Sequence, residues 1–120
     1  MANFYTDKGE ELTADFVDGT ASAPTNWFNS WGTNVAAHSK TSTVLGTESA
    51  ETRIAVTESQ PSASLNQFVA TITSASTQSI TEAGVHTLVT AGDLFCVADF
   101  VAIPLVNGDK IEFTWTVTWS

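Results

Sequence analysis

A chain of 120 residues has the size of one domain, and a hydrophobic fraction of 42% argues against disorder. Thirteen acidic residues against four basic ones leave a formal net charge of −9. Lys8, Lys40, Arg53 and Lys110 are too few to build a basic face, which excludes nucleic acid as a partner and disfavours an anionic membrane surface.

The charged fraction is only 14%, and hydroxyls stand in its place, with nineteen Thr and twelve Ser. Thr favours strands because its branched Cβ fits a pleated surface and its hydroxyl keeps a solvent-facing strand polar without a charge. The composition therefore reads as all-β. A single cysteine, Cys96, excludes an internal disulfide and a Cys-rich zinc site. It lies in the run Leu94-Phe95-Cys96-Val97-Ala98 and reads as a small buried hydrophobe.

Residues 1–18 read as an N-terminal arm and residues 19–120 as a single β-domain. Asp7, Glu10, Glu11, Asp15 and Asp18 crowd the arm. Leu12 and Phe16, four apart, allow one short helical turn, with an extended arm reaching onto a neighbouring subunit as the alternative. The opening residues Met1 to Asp7 carry neither a basic nor an apolar leader pattern, so the expectation is a chain made and folded in the cytoplasm.

Trp27-Phe28-Asn29-Ser30-Trp31-Gly32 reads as a short strand running into a Gly turn, its aromatics serving the core or an interface. Thr52 to Thr57 alternates as a strand, Pro61 marks a loop, and Phe68 to Thr73 is a further strand. Gln78 to Glu82 leads into a break at Ala83-Gly84, and Val85 to Thr90 follows as another strand. Leu94 to Ile103 is apolar on both faces except for Asp99, the pattern of a strand covered on both sides by a second sheet or a partner chain. Asp99 is read three ways: at a bulge, paired with Arg53, or at a subunit contact.

The last segment is the clearest. From Lys110 to Trp119, Ile111, Phe113, Trp115, Val117 and Trp119 take one face and Lys110, Glu112 and three threonines the other. This is a half-buried antiparallel strand, and Asn107-Gly108 before it is a hairpin signal. The expected fold is an antiparallel β-sandwich or jelly-roll of seven or eight short strands.

Chemistry-bearing motifs are sparse. His38 and His86 have no His or Cys at ligand spacing and read as surface or loop histidines, so no metal and no cofactor is expected. No phosphate loop, GxSxG elbow or HExxH helix occurs, and a Ser–His–acid set would have to meet in space. Gly92-Asp93 and Gly108-Asp109 read as turns rather than calcium loops, since no DxDxD spacing accompanies them. No catalytic residue is assigned, and the chain is not expected to be an enzyme. Phe4, Tyr5, Trp27, Phe28, Trp31, Phe95, Asp99 and Trp119 are the candidates for subunit contact.

Trp31-Gly32-Thr33, the spacing Leu45…Glu48…Arg53, Ile80-Thr81-Glu82-Ala83-Gly84, Gly92-Asp93-Leu94-Phe95, Phe100-Val101-Ala102-Ile103 and Asn107 to Thr118 form a set. On these residues the last three quarters of the chain resembles a family of short phage-encoded virion proteins. It departs from that pattern at Val85-His86-Thr87-Leu88. The resemblance implies a head or tail structural protein, best placed as capsid decoration (cement). It further implies a major capsid protein or other virion subunits as partner, a homo-oligomer with a trimer favoured, and residence in the virion. The alternative is a tail or host-recognition component with a carbohydrate-binding β-sandwich.

Overall fold

A computed structural model describes residues 2–20 and 22–119, so the outermost positions of the expected arm and domain, Met1 and Ser120, lie outside the described residues. In chain order the elements are β1 (Ala2–Tyr5), α1 (Asp7–Asp18), β2 (Phe28–Gly32), β3 (Ile54–Ala55), β4 (Thr57–Ser62), β5 (Leu65–Thr73), β6 (Gln78–His86), β7 (Leu94–Leu105) and β8 (Lys110–Thr118). The strands form a five-stranded sheet, β1-β7-β6-β2-β3, and a three-stranded sheet, β4-β5-β8. Every pairing is antiparallel. The chain is therefore the all-β sandwich that its composition announces.

Two clusters fill the space between the sheets. Trp27, Phe68, Val85, Phe95 and Cys96 form one, and Trp31, Ile72, Ile80 and Leu105 the other. The inner face of β8 closes against both, with Trp115 and Val117 on the first and Ile111 and Phe113 on the second. A third cluster of Leu45, Leu94 and Val97, with Phe4 against it, lies apart from these two. Leu45 belongs to the segment between β2 and β3, so the chain itself covers Leu94 and Val97, whereas Val101 to Pro104 stay exposed and the expected two-sided cover holds only for the first half of β7.

The segment expected as a free arm is part of the sandwich. Residues 2–5 pair with Cys96 to Asp99 along β7. The helix that follows is capped at Thr6, whose hydroxyl accepts the Gly9 N–H (3.0 Å) and donates to the Leu94 carbonyl (2.6 Å). Gly19 ends it in the left-handed region at φ 80°. The helix has three turns rather than one because caps at both ends satisfy its terminal groups despite a weak apolar stripe.

Three further readings are corrected. Thr52 to Thr57 is not one strand: β3 belongs to the first sheet and β4 to the second, and β4 runs through Pro61. An edge strand tolerates that proline, and the pairing with β5 shifts register between Ser59 and Ser62 at the same place. Ala83-Gly84 does not break a strand either, because β6 runs straight through it and ends at His86. A Cβ on Gly84 would stand 2.7 Å from Leu94 Cδ1 and 3.2 Å from Leu45 Cδ2, so close packing explains this glycine. Gly84→Ala is expected to cost about 1–3 kcal/mol by overpacking. A urea titration reads this as a lower midpoint with unchanged slope; an unchanged midpoint would mean that the two leucines simply move aside.

The third correction concerns the Asn107-Gly108 turn. It forms, with Gly108 at φ 97°, but it joins strands of different sheets instead of closing a hairpin. Ser74, the residue after β5, captures it: the Ser74 N–H donates to the Asp109 carbonyl (2.7 Å) and the Gly108 N–H to the Ser74 carbonyl (2.8 Å). Those bonds deliver β8 to β5, while β7 packs over β8 through side chains. Asp109 caps the turn by accepting the Val106 N–H at 2.9 Å, as the turn reading requires.

Candidate functional site

A buried carboxylate holds the long β2–β3 connection in place. Glu82 on β6 has no solvent exposure. Its Oε1 accepts the Gly46 N–H (2.8 Å) and faces His38 Nε2 at 2.6 Å; its Oε2 accepts the N–H groups of Thr47 (2.9 Å) and Asn34 (3.2 Å). The His38 N–H donates to Asp99 Oδ2 at 2.8 Å, and His38 Nδ1 lies 3.0 Å from the Ser42 hydroxyl. Ser42, His38 and Glu82 thus stand in a line with the connectivity of a hydrolytic triad. The carboxylate, however, is saturated by main-chain donors, and the Ser42 oxygen also accepts the Ser39 N–H (3.1 Å) in its own turn. The arrangement works as a clamp for residues 34–47.

A second polar group lies at the far end of β6. His86 is buried, with Nε2 2.7 Å from the Ser30 hydroxyl. Burial first, and the Arg53 charge second, lower its pKa to about 4, with Glu48 opposing weakly. Arg53 grips Glu48 through two 2.8 Å bonds and donates to the carbonyls of Leu88 (2.9 Å) and Ala91 (2.6 Å). The guanidinium hydrogen bond holds the Glu48 carboxyl below its ordinary range against the effect of burial. Both histidines are therefore interior groups rather than surface ones, and the partner of Arg53 is Glu48 rather than Asp99. Burial pushes the Cys96 thiol up, as expected of an inert core cysteine.

The eight contact candidates divide sharply. Trp27, Trp31 and Phe95 are buried in the core and present almost no surface to a partner. Phe28 is half-buried at the start of β2, and Phe4 packs on Leu45, Leu94 and Val97. Tyr5 lies edge-on to both Phe95 and Trp119, with its hydroxyl donating to the Gly9 carbonyl and contacting Thr13. Asp99 stands where β7 carries two extra residues against β6, between the pairs Glu82–Asp99 and Ile80–Ile103, so the bulge reading fits. Trp119 is half-buried, its indole donating to Asn66 Oδ1 (2.7 Å).

Two accessible hollows lie along the seam where β8 faces β1 and β7. One stretch, of about 400 Å³, is lined by Tyr5, Glu10, Trp115 and Trp119. The next, of about 700 Å³, is lined by Phe100, Val101, Ile103, Ile111 and Phe113, and the two share Asn3, Trp115 and Thr116. The outer rim carries Val101, 86% exposed, and Val35, 89% exposed, which border one hollow. The signal for this patch was in the sequence: Phe100 to Ile103 continues apolar beyond the point where the two-sided cover of β7 ends.

Among the described residues no helix is long and apolar enough to cross a membrane, and no group of three or more His, Cys, Asp or Glu side chains is placed to hold a metal ion. No family model matches the chain, and comparison with curated proteins and with solved structures finds no match.

Proposed function

We propose that this chain is a non-enzymatic assembly subunit, of the virion decoration kind that its sequence resembles, and that it docks through the open seam of its sandwich. One observation carries the reading: an apolar groove of about 700 Å³ whose rim continues over the exposed Val101 and Ile103. Apolar side chains gathered in an open groove and bordered by Asn3, Thr114 and Thr116 suit a contact surface. Its partner in this reading is the major capsid protein or another virion subunit, and docking only on the assembled shell stabilises that shell by mass action.

The test is the copy number of the chain in purified particles, by quantitative mass spectrometry against the major shell protein. The expected result is a ratio near one or a simple fraction of it; absence from particles overturns the reading. A handful of copies per particle would favour the second reading, a glycan-binding tail component. The cleft lined by Tyr5, Trp115, Trp119 and Glu10 supports that one, because aromatic rings beside a carboxylate suit a sugar ring.

A further inference from the structure

From the free edge of β8, we infer that the chain pairs with a second copy of itself, β8 against β8, about a two-fold axis. The inference deepens the assembly reading and rests on it for its biological setting. The phase of the β5–β8 ladder is set at both ends. Trp119 N–H donates to the Ser64 carbonyl (2.8 Å), and Ser74 N–H donates to the Asp109 carbonyl (2.7 Å). Odd-numbered residues of β8 therefore turn their main chain to β5. Lys110, Glu112, Thr114, Thr116 and Thr118 turn theirs outward, where no strand among the described residues pairs with them. Nine residues in unbroken register, without proline or bulge, make an edge that natural sheets usually protect.

The other edges do not match it. β4 carries Pro61 and a register shift, β3 has two residues, and β1 has four. The strand of this chain that suits the β8 edge is β8 itself.

Its sequence is self-complementary in the full-overlap register. Thr114 then meets Thr114 of the second copy on the axis, Glu112 meets Thr116, and Lys110 meets Thr118. No like charges stand opposite each other. These even-numbered pairs are the ones whose main-chain groups point outward, and they supply about ten hydrogen bonds. The odd-numbered pairs bring side chains together on the inner face, Phe113 with Trp115 and Ile111 with Val117. All four are half-buried in the single chain, so each has area left to cover. The two three-stranded sheets become one of six strands, and the two apolar seams meet beneath it.

Analytical ultracentrifugation of the purified chain across a concentration series tests this without any virion. The expected result is a monomer–dimer equilibrium. Thr114→Pro removes one donor per copy from the central pair, and its dissociation constant should rise roughly ten- to hundredfold. Thr114→Lys, which sets like charges face to face on an exposed position, should weaken the dimer in the same direction and serves if the proline variant does not fold. Thr71→Lys, exposed on the same sheet but on the central strand β5, should leave the dimer intact. A monomer at every concentration overturns the inference, as does a trimer, a dimer indifferent to both Thr114 variants, or a β8 edge that pairs only with a strand of another protein. A dimer in solution that is missing from particles overturns the virion reading alone.

Discussion

Glu82→Ala is expected to lower stability by about 4 kcal/mol, a large part of the 5–15 kcal/mol typical of a domain. The side chain is fully buried, and its two oxygens are the acceptors for three main-chain N–H groups and the His38 ring. Truncation removes all four acceptor contacts at once. Each orphaned donor costs about 1–3 kcal/mol when water cannot replace the lost partner. Asn34, Gly46 and Thr47 lie near enough to solvent to recover part of this, which keeps the total below the simple sum. Glu82→Gln keeps the shape but turns one oxygen into a donor, so it should fall between wild type and Ala, at about 2 kcal/mol. Urea unfolding measures the order of the three proteins. Amide hydrogen exchange adds the location: in both variants Asn34, Gly46 and Thr47 should lose protection before the strands do. An alanine variant within 1 kcal/mol of wild type, or uniform loss of protection along the chain, would remove Glu82 from its role as a clamp.

How much of this was legible follows from the range of the interactions. β8 was readable because ten residues alternate strictly and the pattern is local. The strand at Phe28–Gly32 and the burial of Trp27 and Trp31 were readable because three large aromatics in five residues must go somewhere dry. The helix was half legible: Leu12 and Phe16 gave the spacing, but the Thr6 cap serves β7 as much as the helix, and that contact spans 88 positions. The sheet assignment of β8 was illegible, since Asn107-Gly108 signals a turn and says nothing about which strand the chain meets after it. The Glu82 clamp was illegible for the same reason, because its donors lie 35 to 48 positions upstream. In this chain, two of the short segments that set the sequence apart prove to be mechanical parts. Glu82 and Gly84 hold the long connection and its Leu45, and the Glu48…Arg53 spacing is that of a two-bond ion pair. The open seam was visible only as an apolar run that continues too far, and its width depends on where the opposite sheet stops.

The second large effect is a loss of stability on mild acidification, centred on His86. Its folded pKa is lowered to about 4 from an ordinary 6.5, so between those values the unfolded chain binds a proton that the folded one refuses. Stability therefore rises with pH across that window and falls as pH drops through it. The full difference amounts to roughly 3 kcal/mol by pH 4. The cause is spatial. A protonated imidazole at this position would be charged without access to water and close to the Arg53 guanidinium, with only Glu48 to offset it. Glu48 contributes separately and lower. Its carboxyl is held below 4.5 by Arg53, so its stabilisation is present above that value and is lost only as pH falls further. The two contributions are thus separated along the pH axis. Urea midpoints measured from pH 7 to 4 should decline steadily for wild type, while His86→Gln, whatever its own cost at pH 7, should be nearly flat between pH 6.5 and 5. Proton NMR of the His86 ring gives the direct reading. A midpoint near 6.5, or parallel pH profiles for the two proteins, would mean that water reaches the imidazole and that the Ser30–His86 pair is open rather than sealed beneath β2.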